Sequence, residues 1–426
     1  MGFLILLLYN LLAPLIALAY LVFFILSPRR GLLKNLLNEL RERLAITPPV
    51  LAGRPIWLHA ASLGEVRAVK PLIPLLRARY PSSPVLITTS TASGKEEALL
   101  LTPDVRLLPL DSYPLMRRFI TAVRPELLII AETELWPNLL CAAGNAGLKI
   151  MMINARISGR TLKFYRFLTP LARMVFGGME EIAAQSRGDF ERYALLTGAG
   201  KLVLTGNLKH DLIVRQPQDR AAIETFLEQA DWKEKKIICA GSTHPDEEDR
   251  ILDAFLKIRA AVPDARLILA PRHPETAALS AEKLRKRTLV APLWSQRSHA
   301  RPGPDCLLLD ETGRLADIYY FSAVVFVGGT LDDTGGHNVL EPSAFSKPVL
   351  FGPDIRHTRE GAEALMRKNG GFMVKTADEL AEITISLLKD PAALAKAGEA
   401  SRAALESLQG ATTRTMEAIA LVLPPP

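Results

Sequence analysis

Cysteine is scarce in this chain of 426 residues, which has three, at Cys141, Cys239 and Cys306. Their odd number, wide spacing and apolar neighbours exclude a disulfide scaffold and predict reduced thiols in a core. No CxxC pair and no HExxH is present, so the common zinc signatures are missing. The absence of GxGxxG at a first strand-to-helix turn, and of GxxxxGK[ST] anywhere, removes the main support for a dehydrogenase or a P-loop NTPase. The seven histidines show no ligand spacing, and Asp332-Asp333 forms a short turn without the later Glu of an EF-hand. No bound metal or cofactor is expected. No period of 20 to 50 residues recurs, which excludes a solenoid. What remains, 49% hydrophobic and 23% charged residues, is ordinary globular composition, and the length suggests two domains.

Long apolar runs are equally rare: there is one. Residues Phe3 to Ser27 contain no charge, and at helical rise they span about 37 Å against a hydrocarbon core of about 30 Å. The run predicts one tilted transmembrane helix kinked at Pro14. A cleaved signal peptide fits less well, because no positive n-region precedes Ala17-Leu18-Ala19. Arg29, Arg30 and Lys34 follow the run, which orients a single-pass anchor with the body in the cytoplasm. The amphipathic segment 31–46 next to it has two readings, a helix along the membrane surface or a short helix packed on the first domain.

The net charge of +7 is unevenly placed. Between Pro28 and Arg54 there are six basic and two acidic residues. From Asn154 to Arg173 there are five basic residues and no acid, interleaved with Phe164, Tyr165 and Phe167. Both clusters suit the head groups of membrane phospholipids or phosphates, and no nucleic-acid partner is expected.

Beyond Pro55, short apolar runs alternate with helix-length segments. PIWLHA, PVLITTS, DVRLLPL, ELLIIAET, KIMMIN, EEIAAQS and KLVLTGN precede a break near DLIVRQPQD; KIICAGS, ARLILAP, DCLLLDE, AVVFVGG, KPVLFGP and GGFMVKT follow it. Continuous apolar strands with crossover helices predict parallel sheets covered on both faces. The fold class is therefore α/β, with two doubly wound, Rossmann-like domains. Ligands of such sheets lie beyond the carboxyl ends of the strands, which directs attention to the loops after them and to a cleft between two such loop sets.

Those loops carry charge-bearing residues. Gly335-Gly336-His337-Asn338-Val339-Leu340-Glu341-Pro342 reads as a glycine pair opening a helix, a cradle for phosphate; Glu341 there suits ribose hydroxyls or a plain helix-start acid. Glu65, after Ser62-Leu63-Gly64, is placed to take a proton from a hydroxyl, or to cap and pair. Glu132 and Glu134 project to one side of an extended segment, so one can enter the site while the other orients it. Lys209 and Arg272, each just past a strand, are the cations placed to balance a developing negative charge.

HAASLGE, AETELWPN, INARIS, TGNLKHD, GSTH, PRHPE and GGHNVLEP occur in that order, and the chain thereby resembles the bacterial 3-deoxy-D-manno-octulosonic acid (Kdo) transferases. The resemblance implies the GT-B architecture, and an inverting, metal-independent transfer of Kdo from CMP-Kdo onto the lipid A precursor, lipid IVA, at the bacterial inner membrane. It implies Glu65 as general base, and Glu134 and Lys209 as stabilisers of the transition state. CMP would be held by Pro271 and Arg272, by Gly313, Arg314 and Leu315, and by Asn338, Val339, Leu340 and Glu341. Two positions depart from the family pattern, Val339 where Pro is usual and Arg314 where Glu is common.

The division that follows is an anchor over 1–27, an acceptor-binding domain over 28–212, a CMP-sugar-binding domain over 213–400, and a closing helix within 401–426 returning to the first domain. The rival readings are a GT-B transferase using another nucleotide sugar such as a UDP-hexosamine, a GT-B-like sugar-nucleotide epimerase, and a membrane-tethered nucleotide-sugar binder without turnover.

Overall fold

The computed structural model describes residues 9–10, 33–134, 136–213, 220–299 and 303–424. The chain divides into two compact units, Met1–Leu212 with Gln409–Pro426, and Ile213–Leu408. Each is built on one parallel sheet.

In the first unit the strands are β1 (Ile56–His59), β2 (Val85–Thr89), β3 (Val105–Leu107), β4 (Leu127–Ala131), β5 (Lys149–Ala155), β6 (Glu181–Ala184) and β7 (Leu202–Leu204). They lie in the order β3-β2-β1-β4-β5-β6-β7. In the second, β8 (Lys236–Thr243), β9 (Ala265–Pro271), β10 (Cys306–Leu308), β11 (Val324–Val327), β12 (Val349–Phe351) and β13 (Gly371–Met373) lie in the order β10-β9-β8-β11-β12-β13. Each order reverses between its first and fourth strands, which is the switch point of a doubly wound sheet. All thirteen strands fall on the apolar runs named above.

Alternation explains why such continuous apolar runs are needed. Ile56 and Leu58 enter one core of the first unit while Trp57 enters the core on the other face; Leu127 and Ile129 divide in the same way from Leu128 and Ile130. In the second unit Ile237 and Cys239 face one layer, and Ile238 and Ala240 the other. Successive side chains point to opposite faces, so a strand covered on both sides is apolar along most of its length, and its polar residues, such as His59, Thr88 and Thr89, sit near its carboxyl end. Full burial of each Leu or Ile contributes about 1.5–3 kcal/mol. Cys239 and Cys306 are buried free thiols whose pKa burial pushes up, and Cys141 is a half-buried free thiol.

Helices that place functional residues in the first unit are α1 (Leu33–Arg43), α2 (Leu63–Val69), α3 (Pro137–Asn145), α4 (Gly159–Phe167) and α5 (Leu208–Asp211). Ser62, Ser158 and Asn207 cap α2, α4 and α5 by accepting first-turn N–H groups, a contribution of about 1 kcal/mol each. The closing helix Ala411–Val422 supplies Met416 and Ile419 to the first unit's core, while Asp211 accepts from the N–H groups of Gly410 and Thr412 at 2.8 and 2.7 Å. The helix before it, Pro391–Leu408, belongs to the second unit.

The transmembrane helix expected over 1–27 lies outside the described residues except for Tyr9 and Asn10, and among the described residues no helix is long and apolar enough to cross a membrane. Of the two readings for segment 31–46, the structure shows the packed one at its C-terminal end. Glu42 of α1 accepts from Leu107 N at 2.7 Å and pairs with Lys95 at 2.7 Å, and Arg43 donates to the carbonyl of Ser90 at 2.9 Å.

Candidate active site

At the switch point of the first unit, the loops after β1 and β4 carry three carboxylates. Glu65 is the third residue of α2. Its Oε2 accepts from Ala61 N at 2.6 Å, its Oε1 accepts from the Ser62 hydroxyl at 3.1 Å, and its own N–H points to Ser62 Oγ at 3.4 Å. This reciprocal cap is why a charged residue is stable there at 8% exposure. Burial raises the Glu65 pKa to about 7; the Ala61 N–H opposes this, and Glu134 and Glu132 add to it. A carboxyl group poised there can accept a proton near neutral pH.

Glu134 is half-buried, and burial raises its pKa as well. Glu132 sits at φ 57°, a left-handed backbone that turns the chain sharply off β4. Lys209 donates to Glu132 Oε1 at 2.6 Å, so this cation is ion-paired with Glu132. Fully buried Asn154 places that lysine. Near the end of β5 and at φ 50°, its Oδ1 accepts from Leu208 N at 3.1 Å and fixes the start of α5.

At the second unit's switch point, β8 leads into His244 and the helix α6 (Pro245–Ala261), and the loop after β11 carries Gly328 to Glu341. Here the expected helix at Gly335–Pro342 is absent. Gly335 and Gly336 have φ of 98° and 85°, and the segment stays a loop up to one 3₁₀ turn, Pro342–Phe345. Left-handed glycines do not continue a right-handed helix, and Pro342 has no N–H to give. The phosphate cradle therefore has no helix dipole from this segment.

The side chains of Val339 and Leu340 lie in the core, which leaves their backbone for a ligand. Asn338 Nδ2 donates to Glu341 Oε1 at 3.3 Å, and burial raises the Glu341 pKa while Arg272 lowers it. Arg272 is exposed just past β9, after buried Pro271, its N–H bonded to the carbonyl of Thr243 at 2.9 Å. Gly313, at φ 82°, and Arg314 lead into the helix α7 (Leu315–Phe321); Leu315 packs on the core, and Arg314 lies 4.0 Å from Glu311.

Sequence reasoning did not single out two features. His244 and His337 bring their Nε2 atoms to 2.9 Å with ring planes 4° from parallel, and burial, with His244 and Arg272 nearby, lowers the His337 pKa to about 4. Fully buried Glu247 accepts from the N–H groups of His244, Gly329 and Leu331 at 3.0, 2.6 and 3.1 Å, and so ties the two loops together. Its only sequence signal is its place three residues after His244, the partner position of a capping box. Among the described residues no group of three or more His, Cys, Asp or Glu could hold a metal ion.

Comparison with known proteins fixes what this pair of loop sets belongs to. Residues 38–212 match the family described as 3-deoxy-D-manno-octulosonic-acid transferase (kdotransferase). The 3-deoxy-D-manno-octulosonic acid transferase of Haemophilus influenzae is 34% identical over 85% of this chain and 86% of its own, and that of Bordetella pertussis 31% over 88% and 89%. The chain belongs to the 3-deoxy-D-manno-octulosonic acid transferase family. It is accordingly a glycosyltransferase. Solved structures agree on the fold: a putative UDP-N-acetylglucosamine 2-epimerase from Listeria monocytogenes (15% identity, TM-score 0.60, 86% of this chain and 96% of that one) and a glycosyltransferase from Rickettsia africae (14%, TM-score 0.58, 87% and 99%) share its two-sheet, GT-B-like architecture.

Proposed function

We propose that this member of the family moves Kdo from CMP-Kdo onto the lipid A precursor, lipid IVA, with inversion and without a metal ion. The observation that carries this reading is Glu65: a buried carboxylate at the switch point, with a pKa of about 7 to which Glu134 and Glu132 add, Glu132 being ion-paired with Lys209. In the transfer, the Glu65 carboxylate takes the proton of an acceptor hydroxyl as that oxygen bonds to the anomeric carbon of Kdo. The bond from that carbon to the phosphate breaks, and its electron pair leaves with CMP. Glu134 and Lys209 stabilise charge in the transition state. Pro271, Arg272, Gly313 to Leu315 and Asn338 to Glu341 hold CMP, with Arg272 supplying positive charge at the phosphate that a metal would otherwise provide.

The acceptor is anionic and lies in a bilayer. Helix α4 buries none of its residues, and Phe164 and Phe167 are 52% and 86% exposed beside Arg160, Lys163 and Arg166. Such a face suits a phosphorylated glycolipid in an anionic surface. The protein would reside at the bacterial inner membrane, attached through its N-terminal apolar run, with both units on the cytoplasmic side. The test is to incubate detergent-purified protein with CMP-Kdo, generated in situ, and tetraacyl lipid A precursor, and to read lipid masses. A Kdo-sized increment is expected; a folded, CMP-binding preparation that gives none sinks the assignment.

A further inference from the structure

Much of the backbone that could receive an anion in the loop after β11 is already engaged within the protein. Gly328 N donates to the carbonyl of Gly241 at 2.8 Å, Gly329 N and Leu331 N donate to the Glu247 carboxylate at 2.6 and 3.1 Å, Gly336 N donates to the carbonyl of Gly329 at 2.6 Å, and His337 N to that of Gly328 at 3.2 Å. Fully buried Glu247 is thus an internal anion seated on the loop's own N–H groups. A phosphate brought to this switch point is left to be met by side chains.

The side chains that join the two loops are His244, at the N-cap of α6, and His337, both half-buried. Their Nε2 atoms lie 2.9 Å apart, their ring centroids 5.1 Å apart, and their planes 4° from parallel. The centroids are farther apart than the nitrogens by two ring radii, which sets the rings end to end and makes the bridge a nearly straight N–H···N hydrogen bond. A neutral imidazole has one N–H and one bare nitrogen, so the outer Nδ1 atoms of the pair present one donor and one acceptor. One added proton makes both outer atoms donors and keeps the bridge; a second removes the accepting lone pair and breaks it.

The pair therefore has room for one extra positive charge, and its surroundings decide whether that charge is held. Burial opposes it, as do Arg272 and His273, whose ring centroid is 6.0 Å from that of His244; Asp332 favours it, and the Glu247 carboxylate accepts from His244 N at 3.0 Å. The balance keeps His337 neutral at pH 7 without a ligand. An anion placed against the pair reverses that balance.

We propose that His244 and His337 together receive the phosphate of the donor nucleotide, taking one proton from solvent as it binds and holding it through the departure of CMP. This rests on the assignment of CMP to the second unit under the proposed function. The phosphate gains negative charge as its bond to the sugar breaks, and the held proton offsets that charge. Arg272 supplies a fixed charge beside it; the pair supplies one that comes and goes with the ligand.

Calorimetric titration of CMP into the Glu65→Gln protein at pH 7, repeated in buffers of low and high ionisation enthalpy, counts the protons without a contribution from the Glu65 carboxyl. CMP, with a second phosphate pKa of about 6, is mostly dianionic there. Linkage gives an expected uptake of at least about 0.3 proton per CMP, and none for cytidine, which lacks the phosphate. In His337→Gln the uptake should vanish and CMP affinity should fall by about 10- to 100-fold. Imidazole nitrogen spectra of the Glu65→Gln protein read the same event without any change at the pair, as one imidazolium that appears when CMP binds. Smaller uptake, equal uptake with cytidine or in His337→Gln, or imidazole spectra that CMP leaves unmoved overturn the proposal while CMP keeps its site. A folded preparation that binds no CMP removes the CMP assignment and this inference with it.

Discussion

The two units share a topology and differ in the chemistry at its switch point. In the first, the loops after β1 and β4 gather Glu65, Glu132 and Glu134, and burial drives Glu65 toward neutrality. In the second, the equivalent loops after β8 and β11 bring His244 and His337 together, with Arg272 close enough to lower the pKa of His337 and two left-handed glycines in the loop. The same strand order thus presents a cluster of carboxylates in one unit and a histidine pair with a nearby arginine in the other. Sheet topology selects where a ligand sits, and the loop residues select what it is.

The sharpest way to break this comparison is Glu65→Gln. General-base catalysis is worth about 10²–10⁴ in rate, so kcat should fall by that range while CMP binding to the second unit stays unchanged. Product formation that survives the substitution would move the base elsewhere among the carboxylates.

The same residue gives a pH test, and its sign is definite. With a carboxyl pKa raised from 4.5 to about 7 by burial, the folded state binds more protons than the unfolded one between those values. Stability from this group is present in full below about pH 4.5 and is lost as the pH rises toward 7, a change of about 3 kcal/mol. Glu65→Gln should reduce that part of the slope in denaturant titrations from pH 4.5 to 7.5, leaving the contributions of the other carboxylates whose pKa burial raises, among them Glu134, Glu247, Glu248 and Glu341. Activity runs the opposite way, since the base must be ionised, and should decline as the pH drops below about 7. An activity profile flat across pH 6 to 8 would contradict the role of Glu65.

For the second unit, Arg272→Ala removes the cation that the proposed function assigns to the phosphate of CMP. A hydrogen bond to a charged group contributes about 1.5–3 kcal/mol, so calorimetry should show CMP affinity reduced by about 10- to 100-fold, with the Glu65 pH profile unmoved. Equal loss of CMP binding in Glu65→Gln and Arg272→Ala would erase the division of labour between the units.

How much of this was legible in the sequence follows from the range of each interaction. Strands such as Leu127–Ala131 were readable because both faces of the sheet are buried and the apolar signal is local and continuous. The site residues were readable as strand-end loops for the same reason. The supposed helix at Gly335 was not, because two glycines before a proline fit a helix start or a left-handed loop equally well, and packing against His357 and Asp354 decides. The pairing of Lys209 with Glu132, the strap formed by Glu247 and the hydrogen bonds of Tyr9 with Asp111 and Asn10 with Asn138 join residues 77 to 128 positions apart. No local pattern encodes such pairings.

The smallest expected effect concerns the exposed face of α4. Arg160, Lys163 and Arg166 are exposed, while Leu162 and Tyr165 of the same helix pack on the core, so substitutions at the three basic positions leave stability almost untouched, within about 0.5 kcal/mol. Each basic residue near an anionic surface contributes about 1 kcal/mol, so Arg160→Gln, Lys163→Gln and Arg166→Gln together should weaken binding to vesicles rich in anionic lipid by about 100-fold. Acceptor KM should rise in parallel, and CMP affinity should not change, because that site belongs to the second unit. Raising the salt concentration should weaken the parent protein and spare the triple variant, as screening acts on exposed charge. Vesicle binding and acceptor KM that both stay at the parent values would make α4 a solvated face.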